Sequence, residues 1–105
     1  MILRRVLIAN RGEIAVRVIR TCRRLGIETV LTVAAGDADS VPARLADTTI
    51  AIGSYLDVDE VVGAAAAAGA GAIHPGYGFL SENPQLARAC EAAGIVFIGP
   101  GADVL

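Results

Sequence analysis

Lysine is missing from this chain: all nine of its basic residues are arginine. No GxxxxGK[ST] loop exists and nothing supplies a phosphate-clamping lysine, so an ATP-gripping P-loop is excluded. Tryptophan is also absent, and two tyrosines and two phenylalanines are the only aromatics. His74 is the single histidine, which excludes a multi-histidine metal site. No Ser, Cys or Asp arrangement around it makes a catalytic triad, and no pair of acids stands out as catalytic carboxylates. Cys22 and Cys90 lack CxxC spacing, fall inside predicted helices and read as small buried hydrophobes. No uninterrupted apolar run approaches the roughly 18 residues of a membrane span. The opening Met1-Ile2-Leu3-Arg4-Arg5 is no signal peptide. The expectation is a cytoplasmic, soluble domain with no membrane partner.

What is present is small and apolar. The 105 residues allow one domain with a modest core, and 54% of them are apolar, with Ala and Val dominant. The mean hydropathy of +0.59 is high for a free-standing domain of this size. Either some apolar surface is meant for a neighbour, or the composition is simply alanine-rich. The net charge of −2 implies no nucleic-acid partner, but its distribution is lopsided. Residues 1–24 hold seven arginines and one acid, Glu13, for +6, against −8 for the remainder. Arg17, Arg20 and Arg24 fall on one helix face. That face either meets an anion or acidic partner, or is a solvated face paired with acids across the fold.

Hydrophobic periodicity gives an alternating order. Val6–Ala9 is a short buried strand. Asn10 followed by Glu13 resembles a capping box for a helix whose buried stripe is Ile14, Val18, Cys22 and Leu25, ended by Gly26. Glu28–Val33 is a β-branched strand. A short helix over Pro42–Ala46 and a third strand over Thr48–Ile52 follow. Asp57 and Glu60 open a helix through the alanine run Ala64–Ala68. Gly71–His74 is a fourth strand. Asn83-Pro84 starts a helix running to Gly94. Ile95–Ile98 is a fifth strand, stopped by Gly99-Pro100-Gly101. Strands alternating with helices predict an α/β, Rossmann-like three-layer sandwich with a five-stranded parallel sheet in the order 3-2-1-4-5.

Ligands in such sheets gather at the carboxyl ends of the strands, where the strand order switches. Here that means Asn10-Arg11-Gly12 after the first strand and Pro75–Ser81 after the fourth. The first loop has one glycine where GxGxxG needs three, so NAD or FAD binding is not expected. Arg11 there either holds a phosphate or carboxylate, pairs with an acid of a neighbouring domain, or only builds a tight strand–helix corner with Gly12 and Glu13. In the second loop Gly76 and Gly78 flank Tyr77 and free the backbone for positive φ on both sides. Tyr77 then projects from a rigid loop, Phe79 and Leu80 pack back on the core, and Glu82 sits near a helix N-terminus. His74 reads as a strand-end residue satisfied by backbone groups rather than as a general base.

Two long segments carry a family resemblance. Ile8–Ala15, read as IANRGEIA, resembles the opening of biotin carboxylases, and Ala72–Asn83, read as AIHPGYGFLSEN, resembles a later segment of the same enzymes. Asn10, Arg11, Gly12 and Glu13 belong to the first motif, and His74, Pro75 and Gly76 to the second. Leu45-Ala46-Asp47, Ser54-Tyr55-Leu56 and Ile98-Gly99-Pro100 fall in the family's order, so the match spans the chain. The resemblance implies a pre-ATP-grasp domain over residues 1–105, with the ATP-grasp and C-terminal domains absent from this chain. It implies an ATP-dependent ligase in which MgATP activates bicarbonate and the carboxyl group passes to N1′ of biotin on a carrier protein. Biotin, ATP and Mg²⁺ or Mn²⁺ are cofactors of that intact enzyme, with none expected on this chain alone. The implied partners are the chain's own later domains, the biotin carboxyl carrier, a carboxyltransferase and a second copy in a homodimer.

Residue by residue, the resemblance places Tyr77, Gly78 and Glu82 on the biotin side of the cleft and Arg20 at the dimer interface. It places no catalytic or metal-binding residue here. The isolated domain is expected to be inactive, and the acyl-CoA or pyruvate acceptor is chosen elsewhere. The chain departs from the family at Val41-Pro42-Ala43-Arg44, where a histidine is usual. It also departs at the short Gly53-Ser54-Tyr55 connection, at Ala34-Ala35-Gly36-Asp37 after the second strand, and at Arg24, where some members carry an acid. The loop departures are expected to lie away from the Tyr77 loop. A free-standing Rossmann-like binding or assembly module, or the first domain of another ATP-dependent ligase, is the alternative.

Overall fold

Short strands alternate with helices throughout the computed structural model, which describes residues 3–99. They are β1 (Arg5–Ile8), α1 (Gly12–Arg24), β2 (Glu28–Val33), α2 (Val41–Leu45), β3 (Thr48–Ala51), α3 (Val58–Ala68), β4 (Ala72–His74), α4 (Pro84–Ala92) and β5 (Val96–Phe97). The expected strand stop at Pro100-Gly101 lies outside the described residues. All four strand pairs are parallel, in the order β3-β2-β1-β4-β5, as the alternating pattern predicts. Sheet and flanking helices form the expected α/β sandwich.

β1 reads as an unbroken apolar run because both of its faces are covered. Val6 and Ile8 point toward α1 with Ala15, Ile19 and Cys22. Leu7 and Ala9 point the other way, onto Val61, Ala65 and Leu86 of α3 and α4. Both cysteines are free and buried. Asp47 ties β2 to the start of β3: its carboxylate accepts the Thr29 N–H at 2.8 Å and the Thr29 hydroxyl at 3.1 Å. That bond explains why an acid ends the Leu45-Ala46-Asp47 segment. Among the described residues, no helix is long and apolar enough to cross a membrane.

The helix ends divide. Asp57 accepts the Glu60 N–H at 3.0 Å, and Asn83 accepts the Gln85 N–H at 2.8 Å ahead of Pro84. Gly26 follows α1 with φ 72°. The Asn10–Glu13 capping box does not form. The residue at the α1 N-cap is Arg11, without a side-chain cap bond, because the Asn10 amide is engaged elsewhere. The buried stripe of α1 also differs from the expected one. Ala15, Val16, Ile19 and Cys22 are buried, Ile14 and Val18 are half-buried and Leu25 is 68% exposed. The two rows sit one residue, about 100°, apart on the same apolar sector. Ala15, Ile19 and Cys22 pack against Val6 and Ile8 of β1, so that row faces the sheet.

Candidate functional site

β1 and β4 are neighbours, with Ile8 opposite His74. Their pairing continues through the Ala9 N–H to the His74 carbonyl at 3.0 Å. The next residue, Asn10, is only 1% exposed. Its amide nitrogen donates to the Pro75 carbonyl at 2.8 Å and to the Tyr77 carbonyl at 2.6 Å, and its Oδ1 accepts the Arg11 N–H at 2.8 Å. Both N–H bonds of the amide are therefore used. The two motif-bearing segments are thus joined directly at the switch in strand order.

The loop after β4 has the expected backbone. Gly76 and Gly78 take φ of 66° and 69° on either side of Tyr77, whose side chain is 78% exposed. A Cβ on Gly76 would lie 2.6 Å from the Asn10 amide nitrogen and 2.8 Å from Ile14 Cγ2, so the position demands glycine for space as well as for φ. Leu80 is buried as expected, whereas Phe79 is half-exposed and holds a positive φ of 47°. Its ring packs on Tyr55, centroids 5.2 Å apart. His74 accepts the Gly76 N–H on Nδ1 at 3.1 Å, and burial lowers its pKa. Its Nδ1 is thus satisfied by backbone, as expected of a strand-end residue.

Arg11 pairs with an acid of this same chain. Its Nε and Nη2 donate to the two oxygens of Asp37 at 2.9 and 3.0 Å, a bidentate grip. The Tyr55 hydroxyl donates to Asp37 Oδ2 at 2.5 Å and accepts the Ala34 N–H at 3.2 Å. The Arg11 bonds, and then that of Tyr55, hold the Asp37 carboxyl below the usual carboxylate range. Asp37 in turn raises the Arg11 pKa, and burial raises that of Tyr55. Sequence reasoning missed this cluster and put the Ala34–Asp37 and Ser54-Tyr55 departures away from the Tyr77 loop. They are connected to it through Phe79. The available signal was topological: Arg11, Asp37 and Tyr55 each follow one of three adjacent parallel strands, so all three must end at one sheet edge.

An open groove runs beside α1, over Val6 and Ile98, and past this edge. Ile14, Val18 and Leu25 give it an apolar wall, and Glu13, Tyr77 and Glu82 line its other parts. Glu13 lies 3.7 Å from Arg17 within the helix. Arg20 is exposed, and among the described residues no acid comes within 4.0 Å of it. No cluster of three or more metal-ligating side chains exists among the described residues.

The family model described as the N-terminal domain of biotin carboxylase matches residues 2–105. The biotin carboxylase of Halalkalibacterium halodurans is 54% identical over 97% of this chain and 24% of its own length. A pyruvate carboxylase subunit of Methanothermobacter thermautotrophicus is 49% identical over 96% of this chain and 22% of its own. Among solved structures, the biotin carboxylase domain dimer of Hydrogenobacter thermophilus 2-oxoglutarate carboxylase, with MgADP, ADP and bicarbonate, superposes with a TM-score of 0.95. It is 47% identical and is matched over 99% of this chain and 24% of that one. The chain therefore spans about a quarter of the length of these proteins.

Proposed function

The chain belongs to the family of biotin carboxylase N-terminal domains, and from that premise we propose that it is the first domain of an ATP-dependent ligase that carboxylates biotin. In this reading MgATP activates bicarbonate, and the carboxyl group passes to N1′ of biotin on a carrier protein. The ATP-grasp and C-terminal domains supply the contacts to ATP and Mg²⁺ or Mn²⁺, since the described residues offer neither a lysine nor a cluster of acids for them. This chain supplies the biotin-side loop, with Tyr77, Gly78 and Glu82 facing the ligand. The exposed Tyr77 ring offers flat apolar area and a hydroxyl at low entropic cost. A carboxyltransferase and a second copy of the enzyme complete the partners.

The observation that supports this reading is the direct bonding of the two family motifs through Asn10, which holds the Tyr77 loop beside the switch in strand order, where parallel sheets commonly bind ligands. Identities of 54% to a biotin carboxylase and 49% to part of a pyruvate carboxylase support placing the choice of acceptor outside this domain. The test is ATP cleavage by the intact protein that contains this chain. It is expected to require both bicarbonate and biotin, and residues 1–105 alone are expected to show none, lacking the groups that would stabilise charge transfer. Biotin-dependent cleavage by the pure 105-residue chain, or biotin-independent cleavage by the intact protein, would refute the assignment.

A further inference from the structure

We propose that Tyr55, Asp37 and Arg11, acting with Asn10, form a clamp that presets the backbone of the Tyr77 loop, and that they are positioning residues for the ligand this loop meets. The proposal rests on the reading that the loop faces biotin.

At one residue the loop is held in a conformation that its side chain does not favour. Phe79 is the one non-glycine with positive φ among the described residues. Such a residue persists only where its surroundings over-determine it. Two grips do so. On one side, Asn10 holds the carbonyls of Pro75 and Tyr77. On the other, the Phe79 ring rests on the buried ring of Tyr55. The Tyr55 hydroxyl is fixed by Asp37, and Asp37 is gripped by Arg11, the residue next to Asn10. The circuit thus leaves the loop at Tyr77 and returns to it at Phe79 through residues that follow β1, β2 and β3. Neither grip uses the Tyr77 side chain, which stays exposed. A frame that fixes the backbone and leaves one ring free presents that ring in a set direction, which lowers the ordering cost of binding.

Tyr55→Phe separates positioning from packing. It keeps the ring against Phe79 and deletes only the hydroxyl, with its bond to Asp37 and the bond it accepts from the Ala34 N–H. In the intact carboxylase, with free biotin as the probe, the KM for biotin is expected to rise about three- to tenfold, the scale of one net hydrogen bond. The KM for ATP stays within about twofold. By hydrogen exchange on the same protein, the Gly76, Ser81 and Asn83 amides, each bonded inside the loop, exchange faster while the β1 and β2 amides keep their rates. Asp37→Asn, which weakens the same lock from its other end, moves both readouts in the same direction. Unchanged biotin KM and unchanged loop exchange in both variants, whatever happens to Tm, overturn the proposal. Tyr77→Ala tests the underlying reading separately and is expected to raise the biotin KM about tenfold. Should it leave that KM unchanged, the placement of biotin fails and loop exchange alone decides the clamp: faster exchange supports it, unchanged exchange overturns it.

Discussion

Asp37 accepts three side-chain hydrogen bonds, two from Arg11 and one from Tyr55, and every one of them favours its charged form. Its folded-state pKa is therefore depressed. A depressed carboxylate stabilises the fold above its unfolded value of about 3.9, and that contribution is lost as pH falls through the folded value. Asp37→Asn is accordingly expected to destabilise the protein most near pH 7, with the gap from the parent closing below about pH 4. Urea denaturation at both pH values measures it. A gap of constant size would mean that the charge contributes nothing. His74 shows the opposite outcome at this scale. The residue with the most obvious catalytic chemistry is satisfied by the Gly76 N–H, as its strand-end position and lack of triad partners predict.

Within the loop after β4, the two glycines have different jobs. Gly76 faces Asn10 and Ile14 at distances no Cβ tolerates, whereas a Cβ on Gly78 would meet nothing within 4 Å. Gly76→Ala therefore combines overpacking with a strained φ and is expected to cost about 2–4 kcal/mol. Gly78→Ala carries only the left-handed penalty of about 1–2 kcal/mol. Thermal or urea unfolding of the two variants checks the order, and equal losses would show that the Asn10 contact has room to relax. The glycine–tyrosine–glycine pattern made the loop's conformation legible in the sequence, because backbone freedom is local. The contact that makes Gly76 irreplaceable was not legible, because Asn10 lies 66 residues away in the chain. α1 behaves likewise: its amphipathic period was readable, but Ile14-Val18 and Ala15-Ile19 are equally periodic, and only the packing against β1 chooses between them.

At the scale of the whole molecule, an open groove lies along α1. Leu25 is exposed beside Ile14 and Val18 in the groove, and Arg20 stands on the same helix with no acid of the described residues beside it. Among the described residues no acid across the fold pairs with Arg17, Arg20 or Arg24; Arg17 has only Glu13, on its own helix. If Arg20 serves a dimer interface in the intact enzyme, Arg20→Glu is expected to raise the dimer dissociation constant about tenfold or more, since a misplaced charge at an interface costs more than a kcal/mol. Sedimentation equilibrium of the intact enzyme and the variant reads this directly. An unchanged constant would return Arg20 to the solvent.

The chain's own order of residues determined the strand–helix alternation and with it the parallel sheet, three of the helix-end signals, and the burial of both cysteines. It determined these because periodicity, capping and turn chemistry act between neighbours a few residues apart. Two segments of motif sufficed for the family. Only the tertiary structure decided what Asn10, Arg11, Asp37 and Tyr55 do. Each is an ordinary polar residue following a strand, and its partner is set by which strands lie side by side. Asn10 looked like a helix cap because the nearest free N–H groups along the chain belong to α1. Folding brought the carbonyls of Pro75 and Tyr77 within reach of its side chain, and a buried amide takes the partners that satisfy both of its hydrogens.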